Sequence, residues 1–249
     1  MSELQTEVDG WNRRFADADP GAILEWAAGH FGDRLVATSS FQSQSMPLLH
    51  LISRHAGAMR VCFLDTGFHF EETSRFVERV RSELGIRVDR LTPLLGHDAF
   101  LEKYGPLHQS DPAMCCYLNK VEPMTRALIG MKAWISGVRG DQTKVRGALR
   151  LFNLQPSGVV KICPLLHWSE PQIEDYLREH SLPRHPLFEA GYRSIGCAPC
   201  TVPVGEGEDP RSGRWAGSGK TECGIHKAPW SNASGSASGS ARAPAKGLR

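Results

Sequence analysis

From Arg34 onward, short apolar runs alternate with stretches whose apolar residues recur at helical spacing. Residues 34–38 read as a first strand and 61–64 as a second, ending in Asp65-Thr66-Gly67. Residues 86–91 give a third strand, 132–138 (KAWISGV) a fourth and 159–162 a short fifth. Between them lie four helical patterns: one through Leu51 and Ile52, one over 71–84 stopped by Gly85, one over 115–129, and one beginning at Ser169. Val121, Met124, Leu128 and Ile129 mark the core side of the third, and Ser169 with Gln172 fits a capping box on the fourth. Strands that are apolar throughout are buried on both faces, and helices between them act as crossovers. The expected fold is therefore α/β, a mostly parallel sheet with helices on both faces. Ligands in such sheets bind beyond the carboxyl ends of the strands, here Ser39–Ser45, Asp65–Gly67 and Gly137–Gln142.

The flanks differ in pattern. Residues 3–31 read as two helices broken at Asp19-Pro20, with Ile23, Leu24, Trp26, Ala27 and Phe31 as an apolar stripe. Residues 94–114 are irregular and polar, and 181–194 are turn-rich. After Lys227 the sequence becomes a Ser/Gly/Ala tail expected to be disordered. The expected organisation is a helical segment at 1–33, an α/β nucleotide-binding unit at 34–200, a mobile segment at 201–228 and the tail at 229–249. The first and last segments carry no assigned chemistry.

Composition narrows the function. Hydrophobic residues make up 41% and charged residues 22% of 249, ordinary for a soluble globular chain. The net charge of +2 offers no basic excess for a nucleic acid, and Arg242, Lys246 and Arg249 of the tail supply part of it. No apolar run approaches the roughly 20 residues that span a bilayer, and the first residues lack a signal-peptide core. A cytoplasmic protein is expected, with no membrane and no nucleic-acid partner. In that reducing compartment, clustered cysteines point to metal or catalysis.

The seven cysteines sort into three groups. Cys62 in an apolar strand and Cys163 before Pro164 read as small buried hydrophobes. Cys115, Cys116, Cys197 and Cys200 make a set of four, and four thiolates mean structural zinc or an iron–sulfur cluster. Adjacent cysteines on a helix point about 100° apart. That divergence suits the separate irons of a [4Fe-4S] cluster better than one zinc ion; a vicinal disulfide is the other alternative. Cys223 is left over, in a polar stretch expected to be exposed. Lys220 and His226 would favour its thiolate and Glu222 would oppose it. The segment 39–45, with four serines and two glutamines before a helix, offers hydroxyls and amides to an anion, although a polar connection with a serine cap explains it equally well.

Taken together, SSFQSQS, FLDTGFHFEET, CCYLNKVEP, GVRGDQT, GYRSIGCAPCT, EDPRSGRW and KTECGIH resemble the assimilatory adenylylsulfate reductases. These are the cluster-containing branch of the adenylylsulfate and phosphoadenylylsulfate reductases, and the likeness covers about residues 35–226. The resemblance implies an adenine nucleotide alpha hydrolase-like sheet and a reductase that converts adenosine 5′-phosphosulfate (APS) to sulfite and AMP. Cys223 would match the nucleophile and His226 the histidine after it. Cys115, Cys116, Cys197 and Cys200 would hold a [4Fe-4S] cluster. Lys120, Arg139, Arg211 and Arg214 match basic substrate contacts, with Ser39, Ser40, Ser43, Asp65, Thr66 and Gly67 as further substrate-binding positions. Thioredoxin or a similar dithiol would release sulfite, and a homo-oligomer is compatible with the pattern. Two positions depart from the family: Gln42 stands where glycine is common, and Asn119 where a basic residue is usual. Competing readings are the same chemistry on the 3′-phosphorylated nucleotide, an ATP pyrophosphatase-type sulfurtransferase, which would carry a Ser-Gly-Gly-x-Asp-Ser loop, and a zinc-binding module.

Overall fold

The computed structural model describes residues 2–227 and contains a six-stranded sheet. In chain order its strands are β1 (Leu35–Ser39), β2 (Arg60–Leu64), β3 (Arg87–Leu91), β4 (Ala133–Ser136), β5 (Phe152–Leu154) and β6 (Val160–Ile162). Their spatial order is β3-β2-β1-β4-β6-β5, and every pairing is parallel except β5 with β6. The chain leaves β1 toward one edge through β2 and β3, then returns to the other side of β1 as β4. Strand order thus reverses between β1 and β4, and a crevice opens beyond their carboxyl ends.

Alternation along the strands divides the core. Leu35, Ala37, Ala133, Ile135, Val160 and Ile162 join the larger apolar cluster, built on the helices Pro20–Phe31, Met46–His55, Glu71–Leu84 and Glu170–Glu179. Val36, Cys62 and Trp134 point the other way, onto Val121, Met124 and Leu128. Trp134 is paired in register with Lys161, so a lysine lies on that buried face. Cys62 and Cys163 are both buried among apolar side chains, as their sequence contexts imply.

Local chemistry sets the boundaries. Asp19 caps Pro20–Phe31 by accepting from the Gly21 N–H at 2.7 Å. Glu71–Leu84 ends at Gly85, whose φ of +62° suits glycine. Ser169 and Gln172 form the expected capping box. Four elements differ from expectation. The polar stretch 94–114 contains helices at His97–Tyr104 and Leu107–Ser110, and β5 is an additional antiparallel edge strand. The helix expected over 115–129 begins at Pro112, passes through a π turn at Tyr117–Val121 and resumes at Glu122–Ala127. Pro123 has no N–H to return to the Asn119 carbonyl, and the Asn119 amide donates to the Cys115 carbonyl at 2.9 Å. No helix among the described residues is long and apolar enough to cross a membrane.

Candidate active site and cysteine pocket

A cavity of about 130 Å³ occupies the crevice at the carboxyl ends of β1 and β4. Its lining combines apolar side chains, Leu48, Phe63, Leu64 and Val138, with the cations Lys120, Arg146, Arg211 and Arg214 and with Cys223 and His226. That mixture of apolar and cationic groups suits a ligand that carries both an apolar and a multiply anionic part.

Of the expected site residues, Ser39, Ser40, Lys120, Arg211, Arg214, Cys223 and His226 line this cavity. Ser43, Asp65, Thr66, Gly67 and Arg139 do not. Ser43 is buried and accepts the backbone N–H of His185 at 3.0 Å, tying the 39–45 segment to a distant loop. Asp65 pairs with Arg90 at 2.8 Å, and the Thr66 hydroxyl lies 3.3 Å from the Cys197 sulfur. Gly67 turns the chain at φ +73°. Arg139 is buried against Asp141 and donates to the Gln44 side chain at 3.0 Å, which holds a lining residue in place.

Gln42, Gln44 and Gln142, which fall in the segments expected to meet a ligand but were not singled out as site residues, line the cavity, as do His69 and Arg146, which sequence reasoning missed. Gln42, at the position of the common glycine, accepts the Ile195 N–H at 2.9 Å and so joins the serine segment to the chain before Cys197. Arg146 follows GVRGDQT by only a few residues, and a basic residue so close to a strand-end motif was the available signal.

Cys223 is buried, at 9% exposure, and not on the surface as its polar context suggested. The anchor is Glu222. Its carboxylate accepts from Arg146 Nε at 2.8 Å and Nη2 at 2.7 Å, from the Thr143 hydroxyl at 3.2 Å and from the Cys223 N–H at 2.9 Å. Burial works to raise the Glu222 pKa, but the Arg146 contacts, the Cys223 N–H and Arg211 outweigh it and hold it low. The expected opposition of Glu222 to the thiolate is therefore largely cancelled by Arg146. Cys116 and Cys223 share a hydrogen bond that pushes the Cys223 thiol up and Cys116 down; burial also raises Cys223, while Lys120 favours its thiolate. Burial first, then Lys161, Arg146, Arg211 and Lys120, drive the His226 pKa well down, so its imidazole is neutral.

A second, smaller pocket adjoins the first. All four expected ligand cysteines line it, along with Phe68, His108 and Asn119. Lys120, Arg214 and Trp215 line both pockets and form the wall between them. Lys120 keeps its charge despite burial: desolvation lowers its pKa, but Cys197, Cys223 and Cys116 raise it to a value above the ordinary range. Among the described residues, no three His, Cys, Asp or Glu side chains converge as ligands of a single metal ion.

The signature described as the phosphoadenosine phosphosulfate reductase domain matches residues 34–203. The chain belongs to this family. An adenosine 5′-phosphosulfate reductase of Streptomyces coelicolor is 42% identical over 229 residues, covering 90% of this chain and 95% of the relative. Adenosine 5′-phosphosulfate reductase 2 of Bacillus subtilis is also 42% identical, covering 91% of this chain and all of the relative. A phosphoadenylyl-sulfate reductase structure from Candida auris, determined as a phosphate complex, superposes with a TM-score of 0.70 at 29% identity. That match covers 81% of this chain and 99% of that one. A Candida glabrata FMN adenylyltransferase shares the fold at 14% identity and a TM-score of 0.56, covering 82% of this chain and 71% of its own.

Proposed function

We propose that this chain reduces adenosine 5′-phosphosulfate to sulfite and AMP through a covalent intermediate on Cys223. The observation that carries the reading is that Cys223 lines one cavity together with Lys120, Arg211 and Arg214 and with apolar side chains that could receive an adenosine. The named relatives favour the same substrate.

In the first step the Cys223 thiolate attacks the sulfate sulfur. The S–S bond forms as the sulfur–oxygen bond to the phosphate breaks, and AMP leaves with the electron pair. The product on the protein is an S-sulfocysteine. A dithiol of the thioredoxin class then attacks the Cys223 sulfur, displacing sulfite, and its second thiol resolves the mixed disulfide. The dithiol gives up two electrons, and Cys223 returns as thiolate. Lys120, Arg146, Arg211 and Arg214 stabilise the charge that grows on the leaving phosphate. Neutral His226 is suited to donate a hydrogen bond to the same oxygens. A free thiolate with a dithiol partner places the enzyme in a reducing, cytoplasmic setting.

Cys115, Cys116, Cys197 and Cys200 would hold a [4Fe-4S] cluster. All four thiols line one small pocket, and the divergence of the adjacent Cys115 and Cys116 on a helix suits the separate irons of a cluster better than one zinc ion. Bound there, the cluster would add structural support and negative charge, not the reducing electrons.

The decisive experiment gives anaerobically purified protein APS without dithiol. One equivalent of AMP and an S-sulfo adduct on Cys223 are expected. A strong rate preference for the 3′-phosphorylated nucleotide, which the name of the Candida auris structure keeps in view, would overturn the substrate choice.

A further inference from the structure

Lys161 is an unusual residue for its position. It lies in β6, with neighbours Val160 and Ile162 packed in the larger core, and is 3% exposed. Strand alternation turns it to the opposite face, beside Trp134, whose ring centroid is 5.0 Å from Nζ. A buried lysine ordinarily pairs with a carboxylate, because desolvating an ammonium is costly. Among the described residues Lys161 has no such ion pair. Its nitrogen lies 3.4 Å from Nδ1 of His226, the cavity-lining histidine that follows Cys223.

We propose that Lys161 is a positioning residue for the reaction, fixing His226 as the tautomer that carries its proton on Nε2. The role given to His226 itself rests on the reductase reading above. An ammonium has three donors and no acceptor, so a hydrogen bond to it requires a lone pair on Nδ1. A neutral imidazole with its lone pair at Nδ1 must hold its proton on Nε2. That leaves one donor on the ring free for a phosphosulfate oxygen. The tautomer matters here. With the proton on Nδ1, the ring would face Lys161 donor to donor and offer the anion only a repulsive lone pair. Lys161, Arg146, Arg211 and Lys120 all disfavour protonation of His226, and Glu222 is committed to Arg146. The histidine is therefore kept neutral, and only its orientation and tautomer remain to be set. Burial and Arg146 lower the Lys161 pKa, while Cys163 and Glu222 favour its charged form. The same side chain spans β6 and the short helix Gly224–Lys227, which links the position of the sheet to the segment carrying the nucleophile.

The test has two arms on the full, cluster-loaded protein. Nitrogen NMR of labelled histidine, with the His226 signal assigned by its loss in His226→Ala, should show the proton on Nε2 in the wild type. A proton on Nδ1 would overturn the inference whether or not the protein turns over. In single-turnover AMP release from APS, Lys161→Met should slow the reaction roughly tenfold or more. It should add nothing in a His226→Ala background. An equal slowing in both backgrounds would refute action through His226. Lys161→Arg, which keeps a donor, should retain the Nε2 proton and guards against a Met variant that fails to fold. Absence of AMP release from the wild type would refute the reductase reading instead, and the tautomer signal would still decide this inference.

Discussion

The Glu222–Arg146 pair should govern how tightly the nucleophile is seated. Glu222 and Arg146 side chains are 1% and 8% exposed, and the carboxylate takes two bonds from one guanidinium. Removing one partner of a buried pair leaves an uncompensated charge, which costs about 3–5 kcal/mol. Global unfolding is not the cheapest response. The segment carrying Cys223 can undock instead, because it meets the body through a small set of contacts: Glu222 with Arg146, Cys223 with Cys116, Ile225 in the smaller core and His226 with Lys161. At about 1.4 kcal/mol per factor of ten, Glu222→Ala should raise the population of the undocked form roughly 100-fold or more. The assay is the alkylation rate of Cys223, followed by mass spectrometry of its peptide, in the wild type, Glu222→Ala, Arg146→Met and the double variant. Both single variants should accelerate labelling strongly, and the double less than either single, because the second change removes the charge the first left stranded. Rates within about threefold of wild type would refute the seating role, as would additive effects of the two changes.

Acidification should release the same segment. The Glu222 pKa is held below its ordinary 4.5, so its stabilisation is complete above that value and is lost as pH falls through the lower folded value. Hydrogen exchange of residues 221–226 should therefore accelerate only in strongly acidic solution; acceleration already near neutrality would contradict the shift. Cys223→Ser should abolish AMP release while leaving iron content unchanged, and loss of iron would make Cys223 a ligand. Cys197→Ala should lose both iron and colour, and retention of both would remove it from the ligand set. At Gly196 an added Cβ would collide with the guanidinium of Arg214. Gly196→Ala should thus raise KM for the nucleotide with a melting temperature close to wild type; an unchanged KM would place Arg214 outside substrate binding.

Five of the six strands were legible because each carries β-branched or other apolar residues in a short run between turn signals, even where charges interrupt it, as in Arg87–Leu91 and at Lys161. β5 was not: Phe152-Asn153-Leu154 is too short to show a period, and it exists because Asn12 bonds Phe152 on both its N–H and C=O. The helix at 97–104 was hidden by a single buried anchor, Phe100, in otherwise polar sequence. At the site, motif order brought out Cys223, Lys120 and the arginine pair, since those residue types have few bland explanations when they recur together. Ser43 and Arg139 were assigned to substrate by the same motifs, yet they support the loop from behind. Motif membership says a position matters; it does not say which way the side chain faces. Lys161 had the opposite problem, because one lysine in a three-residue strand carries no spacing signal at all.

The two pockets explain each other through charge. Lys120 is buried and Arg214 half-buried, and among the described residues neither has an ion pair with a carboxylate. What favours the charge on both is the nearby sulfurs, Cys197, Cys223 and Cys116 for Lys120 and these with Cys200 for Arg214. Desolvation alone would push such cations toward neutrality. The sulfurs thus sustain the charge of Lys120 and offset part of the desolvation of Arg214, and both cations also line the cavity proposed for the anionic substrate. Neutralising the sulfur side should weaken substrate binding even where the fold survives. That coupling runs through Lys120 and Arg214 and requires no electron to cross the wall.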